Sequence, residues 1–235
     1  MGDYSTRRRF VSGAGLASFG ALMPSASAQH QRPGTQGKAE KAEEVSPTED
    51  LMREHGVLNR VLLIYDEVLR RLRGNEQVDA KVLSDAAGII RRFIEQYHEK
   101  LEEDYLFPRF EKANRLTDLV KTLRSQHAAG RNVTSNILQL ATPAGFKNAD
   151  QKRRLQDALR AFTRLYRPHE AREDTVLFPA FHDLVSQHEF DALGEEFEKK
   201  EHQLFGADGF QTMVDRVAGL EKALGIYDLS QFTPR

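Results

Sequence analysis

Two stretches of the chain, QYHEKLEEDYLFP from Gln96 to Pro108 and LYRPHEAREDTVLFP from Leu165 to Pro179, set the same polar pair in the same surroundings. Each contains His-x-x-x-Glu, His98 with Glu102 and His169 with Glu173, and each reaches Leu-Phe-Pro at the same distance from its histidine. Side chains four apart on a helix stack on one face, so both members of a pair point the same way. The residues around them are apolar at helical spacing. An imidazole and a carboxylate on such a stripe are costly to bury unless they are paired or bind a cation. A chain that does this twice is held to a helical fold with a polar purpose inside it.

The same period organises the rest of the sequence. A first helix is expected from Ser46, where Ser46 caps, Pro47 takes the first helical position and Glu49 completes a capping box. Its stripe reads Leu51, His55, Leu58, Leu62, Tyr65, Leu69 and Leu72 in steps of three and four. A second is expected from about Asp79 to Phe107, with Pro108 near its end or kinking it. A third, from about Thr117 to Leu140, carries Val120, Leu123, His127, Gly130, Thr134 and Ile137 on one face. A fourth starts near Asn148, and Pro168 is expected to bend it just before His169. Ser186 and Glu189 open a fifth, and a last amphipathic segment from Phe210 to Leu224 stops at Gly225. No alternating strand pattern interrupts this order. The expectation is an all-α fold: an up-down four-helix bundle over 46–205, followed by a C-terminal helix and tail over 206–235.

The first residues read differently. Arg7, Arg8 and Arg9 precede a mildly apolar stretch from Phe10 to Met23 that ends at Ala26-Ser27-Ala28, a cleavage pattern. The stretch is too short and too rich in Gly and Ser to span a bilayer. Thr6-Arg7-Arg8-Arg9-Phe10-Val11 resembles a twin-arginine export signal. Residues 1–28 are therefore expected to be a signal peptide, with a disordered basic tail as the bland alternative. Residues 29–45 are polar without periodicity and are expected to be a flexible linker. Twin-arginine export moves folded proteins, often with cofactor inserted. That would suit a metalloprotein loaded in the cytoplasm and working in the periplasm.

His55 on the first helix and His127 on the third complete the polar set. The order His, His-x-x-x-Glu, His, His-x-x-x-Glu is itself a repeat. Two hairpins could pack with approximate two-fold symmetry, each giving two histidines and one glutamate. Such a set suits two metal ions better than one, the glutamates bridging, with positions left for an oxo or hydroxo bridge and a diatomic ligand. The chain has no cysteine, which excludes thiolate sites, disulfides and cysteine nucleophiles. Imidazole and carboxylate favour iron, manganese or zinc. With 34 basic and 35 acidic residues, nothing in the charge balance calls for a nucleic-acid partner.

His55, HEKLE at 98–102, His127 and HEARE at 169–173, with LFP after each pair, together resemble the hemerythrin-like, HHE cation-binding domain over about residues 47–205. The resemblance implies a four-helix bundle around a non-haem di-iron centre. His55 and His98 would hold one iron, His127 and His169 the other, with Glu102 and Glu173 bridging. Oxygen-carrying hemerythrins place another histidine one turn after that of the third helix; here the position is Arg131. They also end in His-x4-Asp; Asp174 lies at that distance, but Glu173 fits the repeat better. One histidine fewer implies a more open second iron, suited to binding or sensing oxygen or nitric oxide, or to redox defence against peroxide. A di-iron oxidase or peroxidase, and a metal-storage bundle, are the alternatives, with the redox partner unnamed. The iron–sulfur repair relatives that carry an N-terminal cysteine motif have no counterpart here.

Around the motifs, Tyr105 is expected inward, as core packing or as a donor to a ligand. Glu103, Asp104 and Glu170 are expected in solvent, and His182, His188 and His202 on the surface.

Overall fold

The computed structural model describes residues 45–234. The signal peptide and nearly all of the linker expected at 1–28 and 29–45 lie outside the described residues.

Helix α1, Pro47–Gly74, begins where the sequence places its cap: Ser46 Oγ accepts the Glu49 N–H at 3.2 Å, and Pro47 opens the first turn. Glu49 and Asp50 sit at its positive end and Arg71 and Arg73 at its negative end, complementing the helix dipole. Asn75 closes it in the left-handed region, with φ 54°. The whole expected stripe is buried. So are Val57, Val61, Ile64 and Val68, because α1 is covered on a wider arc than a four-helix bundle alone requires.

Helix α2 runs over 80–112, capped by Asp79, whose side chain accepts the Lys81 N–H at 2.9 Å. It is not uniformly α. Wider π turns occupy Ile90–His98 and Glu102–Leu106, with α turns at Ala80–Ile89, Glu99–Leu101 and Phe107–Lys112. Helix α3, Thr117–Leu140, buries Val120, Leu123, His127, Gly130, Thr134, Ile137 and Leu140. After the one-turn helix Pro143–Lys147, Asn148 caps α4, which runs over 149–182 as Ala149–Arg172, a π turn at Glu173–Leu177, and Phe178–His182. Helices α5, Gln187–Phe205, and α6, Gly209–Leu224, follow.

Pro108 lies near the end of its helix, as expected, and α2 continues past it to Lys112. Pro168 sits inside an uninterrupted α stretch, and the irregular turn falls after His169 rather than before it. The two π turns before Leu-Phe-Pro explain how Pro108 and Pro179 are accommodated inside their helices. Phe107 N–H reaches the Glu102 carbonyl, and Phe178 N–H reaches that of Glu173, each one residue further back than an α turn allows. A proline has no N–H and its ring crowds the carbonyl four residues earlier; a widened turn relieves that crowding.

α1 packs on α2 and α4, and α3 packs on α2 and α4. Each helix of the four thus has two neighbours around one core, the expected up-down bundle. α6 lies on α1 and α2, and α5 on α1 and α6. Among the described residues there is no strand, and no helix is long and apolar enough to cross a membrane.

Candidate metal centre

His55 from α1, His98 and Glu102 from α2, His127 from α3, and His169 and Glu173 from α4 are all buried and all turn into the bundle interior. They fall into two groups, His55 with His98 and Glu102, and His127 with His169 and Glu173, whose donor atoms lie within 4.8 Å of one another in each. The inner nitrogens are the Nε2 atoms. Glu102 Oε1 is 3.7 Å from His98 Nε2, while its Oε2 is 3.4 Å from His127 Nε2. Glu173 Oε2 is 3.4 Å from His55 Nε2, while its Oε1 is 3.2 Å from His169 Nε2. Each glutamate therefore offers one oxygen to each histidine pair, the arrangement of a bridging carboxylate.

None of these four oxygens accepts a hydrogen bond, although all are buried. Buried polar atoms without partners are rare and costly. His127 Nε2 and His169 Nε2 also face each other at 3.2 Å. Two unprotonated ring nitrogens repel at that distance unless a proton or a cation lies between them. Imidazole nitrogens and carboxylate oxygens in this number fit a pair of divalent or trivalent transition ions.

The outer nitrogens are equally well placed. His55 Nδ1 lies 2.7 Å from Asp174 Oδ1, His98 Nδ1 2.8 Å from Glu54 Oε2, His127 Nδ1 3.1 Å from Glu103 Oε1, and His169 Nδ1 2.9 Å from Gln126 Oε1. An acceptor at Nδ1 fixes the tautomer that leaves Nε2 free to bind metal. The partners obey the repeat. Glu54 and Gln126 each precede the histidine of their own helix, and Glu103 and Asp174 each follow a glutamate of the inner set.

Leu-Phe-Pro is also accounted for. Phe178 stacks on His55, with ring centroids 5.6 Å apart and 19° between planes, and Phe107 stacks on His127 at 5.6 Å and 24°. Leu106 and Leu177 are fully buried beside them. Each motif thus walls off a histidine contributed by the other hairpin.

The electrostatics reflect crowding of like groups. Burial opposes ionisation of Glu102, and Glu173 facing it adds to that, so its carboxyl is held well above the usual range. Burial penalises Glu173 too, but the neighbouring His169 and His55 outweigh it and hold this carboxyl well below the usual range. Burial and the nearby His55 keep His98 well below an ordinary imidazole. Burial lowers His127 to about 4. His55 is lowered by burial but raised more by Asp174 and Glu173, to about 10.

Two side chains expected in solvent are not there. Glu170 is buried and accepts from Asn59 Nδ2 at 2.9 Å. Glu103 is half-buried, accepting from Arg131 Nη2 at 2.7 Å while holding His127. Asp104 is exposed, as are His182 and His188, and His202 is half-buried. Tyr105 packs against the core, one of its two expected roles, meeting the Phe197 ring at 5.5 Å and donating to Glu196 Oε1 at 3.3 Å on the α5 side. The tyrosine of the site is Tyr166. Its ring meets His169 edge-on at 5.4 Å, and its hydroxyl donates to Glu99 Oε1 at 2.6 Å. Arg131, in the position of the missing histidine, lies 2.7 Å from Glu99 Oε2. Glu54, Gln126, Glu103 and Asp174 stand at repeated offsets in the sequence, but nothing local shows that they reach a histidine of another helix, nor that Tyr166 turns toward α2.

Residues 46–145 match the family model of the hemerythrin HHE cation binding domain. That segment holds His55, His98, Glu102 and His127, and the second His-x-x-x-Glu lies beyond it. An uncharacterized protein of Mycobacterium tuberculosis and one of Mycobacterium bovis are each 53% identical over 190 residues, covering 81% of this chain and 74% of theirs. No solved structure matches.

Proposed function

This chain belongs to the family of the hemerythrin HHE cation-binding domain, and we propose that it is an exported di-iron protein that binds oxygen, nitric oxide or peroxide at the metal pair. Cation binding follows from the family. The observation that carries the two-metal reading is the set of buried Glu102 and Glu173 oxygens, which accept no hydrogen bond and are divided between two histidine pairs. His55 and His98 would hold one ion and His127 and His169 the other, with Glu102 and Glu173 spanning both. An iron pair in such a place supplies one-electron redox chemistry and open coordination positions for a small ligand.

The chain's own residues do the rest. Asp174, Glu54, Glu103 and Gln126 hold the four imidazoles with Nε2 inward. Phe107, Phe178, Leu106 and Leu177 keep bulk water from the ligands. Arg131, drawn aside by Glu99 and Glu103, supplies no ligand where a further histidine would stand. That favours an open position on the His127 and His169 side. Export rests on the pattern Arg7-Arg8-Arg9-Phe10-Val11. Changing Arg7 and Arg8 to Lys should leave the protein in the cytoplasm on fractionation.

The test is metal analysis of protein isolated from its own compartment, with absorption spectra of the reduced form after adding oxygen, nitric oxide or peroxide. Two irons per chain and a reversible adduct are expected. Steady turnover of peroxide would move the assignment to an enzyme. Glu102→Ala and His169→Ala should lose metal; a folded variant that keeps its full complement would overturn the ligand assignment.

A further inference from the structure

The two halves of the centre share ligand types but not the groups that support them. On the His55 and His98 side both Nδ1 partners are carboxylates, Asp174 at 2.7 Å and Glu54 at 2.8 Å. On the His127 and His169 side, one partner is the neutral amide of Gln126, at 2.9 Å. The other is Glu103, whose Oε1 is shared between His127 Nδ1 at 3.1 Å and the Arg131 guanidinium at 2.7 Å. Gln126 occupies in its hairpin the place Glu54 has in the other, immediately before the helix histidine.

Resting on the two-metal reading above, we propose that the halves bind unequally: the His55 and His98 half takes its cation first and more tightly, and Gln126 makes the other half the weaker one. A carboxylate on Nδ1–H makes the imidazole a stronger donor through Nε2, and an amide does so less. Negative charge one ring away also attracts a cation through a poorly screened interior, and the positive Arg131 offsets it on the weaker side. Losing one such supporting group costs about 10–100-fold in metal affinity, which sets the size of the expected gap. The weaker half is also the one where Arg131 replaces a histidine, so the more loosely held ion is the one with room for an external ligand.

The experiment is calorimetric and absorption titration of the metal-free full chain with cobalt(II) in oxygen-free buffer, reading metal binding alone. The wild type should take two ions in separate steps, the first about 10–100-fold tighter. Gln126→Glu, nearly isosteric, should tighten the second step and narrow the gap. Glu54→Gln should weaken the first step and narrow it from the other side. His169→Ala should leave the tight step standing. Equal steps in the wild type would overturn the inequality, as would a Gln126→Glu chain whose first step moves instead of its second. A folded chain that takes up one cobalt or none would overturn the two-metal reading itself. Should Gln126→Glu fail to fold by circular dichroism, Glu54→Gln decides alone, and a first step left unchanged in it overturns the assignment.

Discussion

At the scale of single residues, the metal-free centre keeps its charges tolerable by holding protons where cations would sit. Glu102 is pushed up by burial and by Glu173, and His55 is raised to about 10 by Asp174 and Glu173 against the effect of burial. His55 holds a proton at neutral pH, and Glu102 resists losing its own. Cation uptake must displace protons, so apparent affinity should fall as pH is lowered. Calorimetry in buffers of different ionisation enthalpy should register net proton release at pH 7. The stability of the metal-free chain should follow the same groups. The stabilisation from His55 is fully present below its ordinary 6.5 and is lost as pH rises through about 10. Glu102 opposes folding increasingly as pH rises above its ordinary 4.5. Urea midpoints of metal-free protein should therefore drop from pH 6 to pH 9. Metal-loaded protein should lack this trend, because cations replace these protons. Gly130 makes a separate demand. A Cβ there would lie 2.1 Å from the Tyr166 hydroxyl, so only glycine lets that ring cross α3 to reach Glu99. Gly130→Ala should cost about 1–3 kcal/mol in urea unfolding, as overpacking does, despite the higher helix propensity of alanine.

At the scale of elements, the sequence discloses the helices and hides their irregular turns. Apolar period and caps at Ser46, Asn148 and Ser186 place helix starts closely, because capping needs one side-chain oxygen and one N–H in local register. The inward-facing polar pairs were legible for the same reason: His98 with Glu102 and His169 with Glu173 share a face at i and i+4. The π turns were not, since over a single turn the apolar pattern barely distinguishes a widened helix from an α-helix. Pro108 and Pro179 mark only the turns at Glu102–Leu106 and Glu173–Leu177, a proline reads equally well as an end or a kink, and no residue type marks Ile90–His98. Glu103 and Glu170 were read as solvated because a charged residue next to a ligand has no sequence mark of its partner on another helix. The π turns have a consequence of their own. The two before Leu-Phe-Pro each begin at an inner glutamate, Glu102 or Glu173, whose carbonyl accepts the N–H of the phenylalanine that stacks on a histidine of the other hairpin. Pro108→Ala restores an N–H and removes the crowding, so the turn at Glu102–Leu106 should tighten toward α and rotate Glu102 against Phe107. Helix content by circular dichroism should hold. Cobalt affinity should drop by about tenfold, the scale for losing one support of a ligand.

At the scale of the molecule, the polar centre asks the surrounding fold for stability that it does not itself provide without metal. Four imidazoles and two carboxylates occupy core volume that apolar side chains would otherwise fill, and domains are stable by only about 5–15 kcal/mol. The C-terminal helices offset this loss from outside the bundle. α6 lies across α1 and α2, burying Met213, Val217 and Leu224, and Glu221 receives Arg60 of α1 at 2.9 Å and 2.5 Å. α1 and α2 together carry His55, His98 and Glu102, so the outer layer braces the helices of one half of the centre without entering it. Stability and metal binding should then separate on mutation. Leu224→Ala removes a buried side chain from the outer layer and should lower unfolding free energy by about 2–5 kcal/mol. Its cation stoichiometry at 25 °C should match the wild type, because no ligand or ligand-supporting residue lies on α6. The check is to measure urea unfolding of metal-free and metal-loaded protein for both chains. Loading should raise the midpoint of Leu224→Ala by the same free energy as in the wild type, since ligand binding adds a term set by affinity and concentration alone. A smaller gain in the variant would mean that the outer layer shapes the centre as well as bracing it.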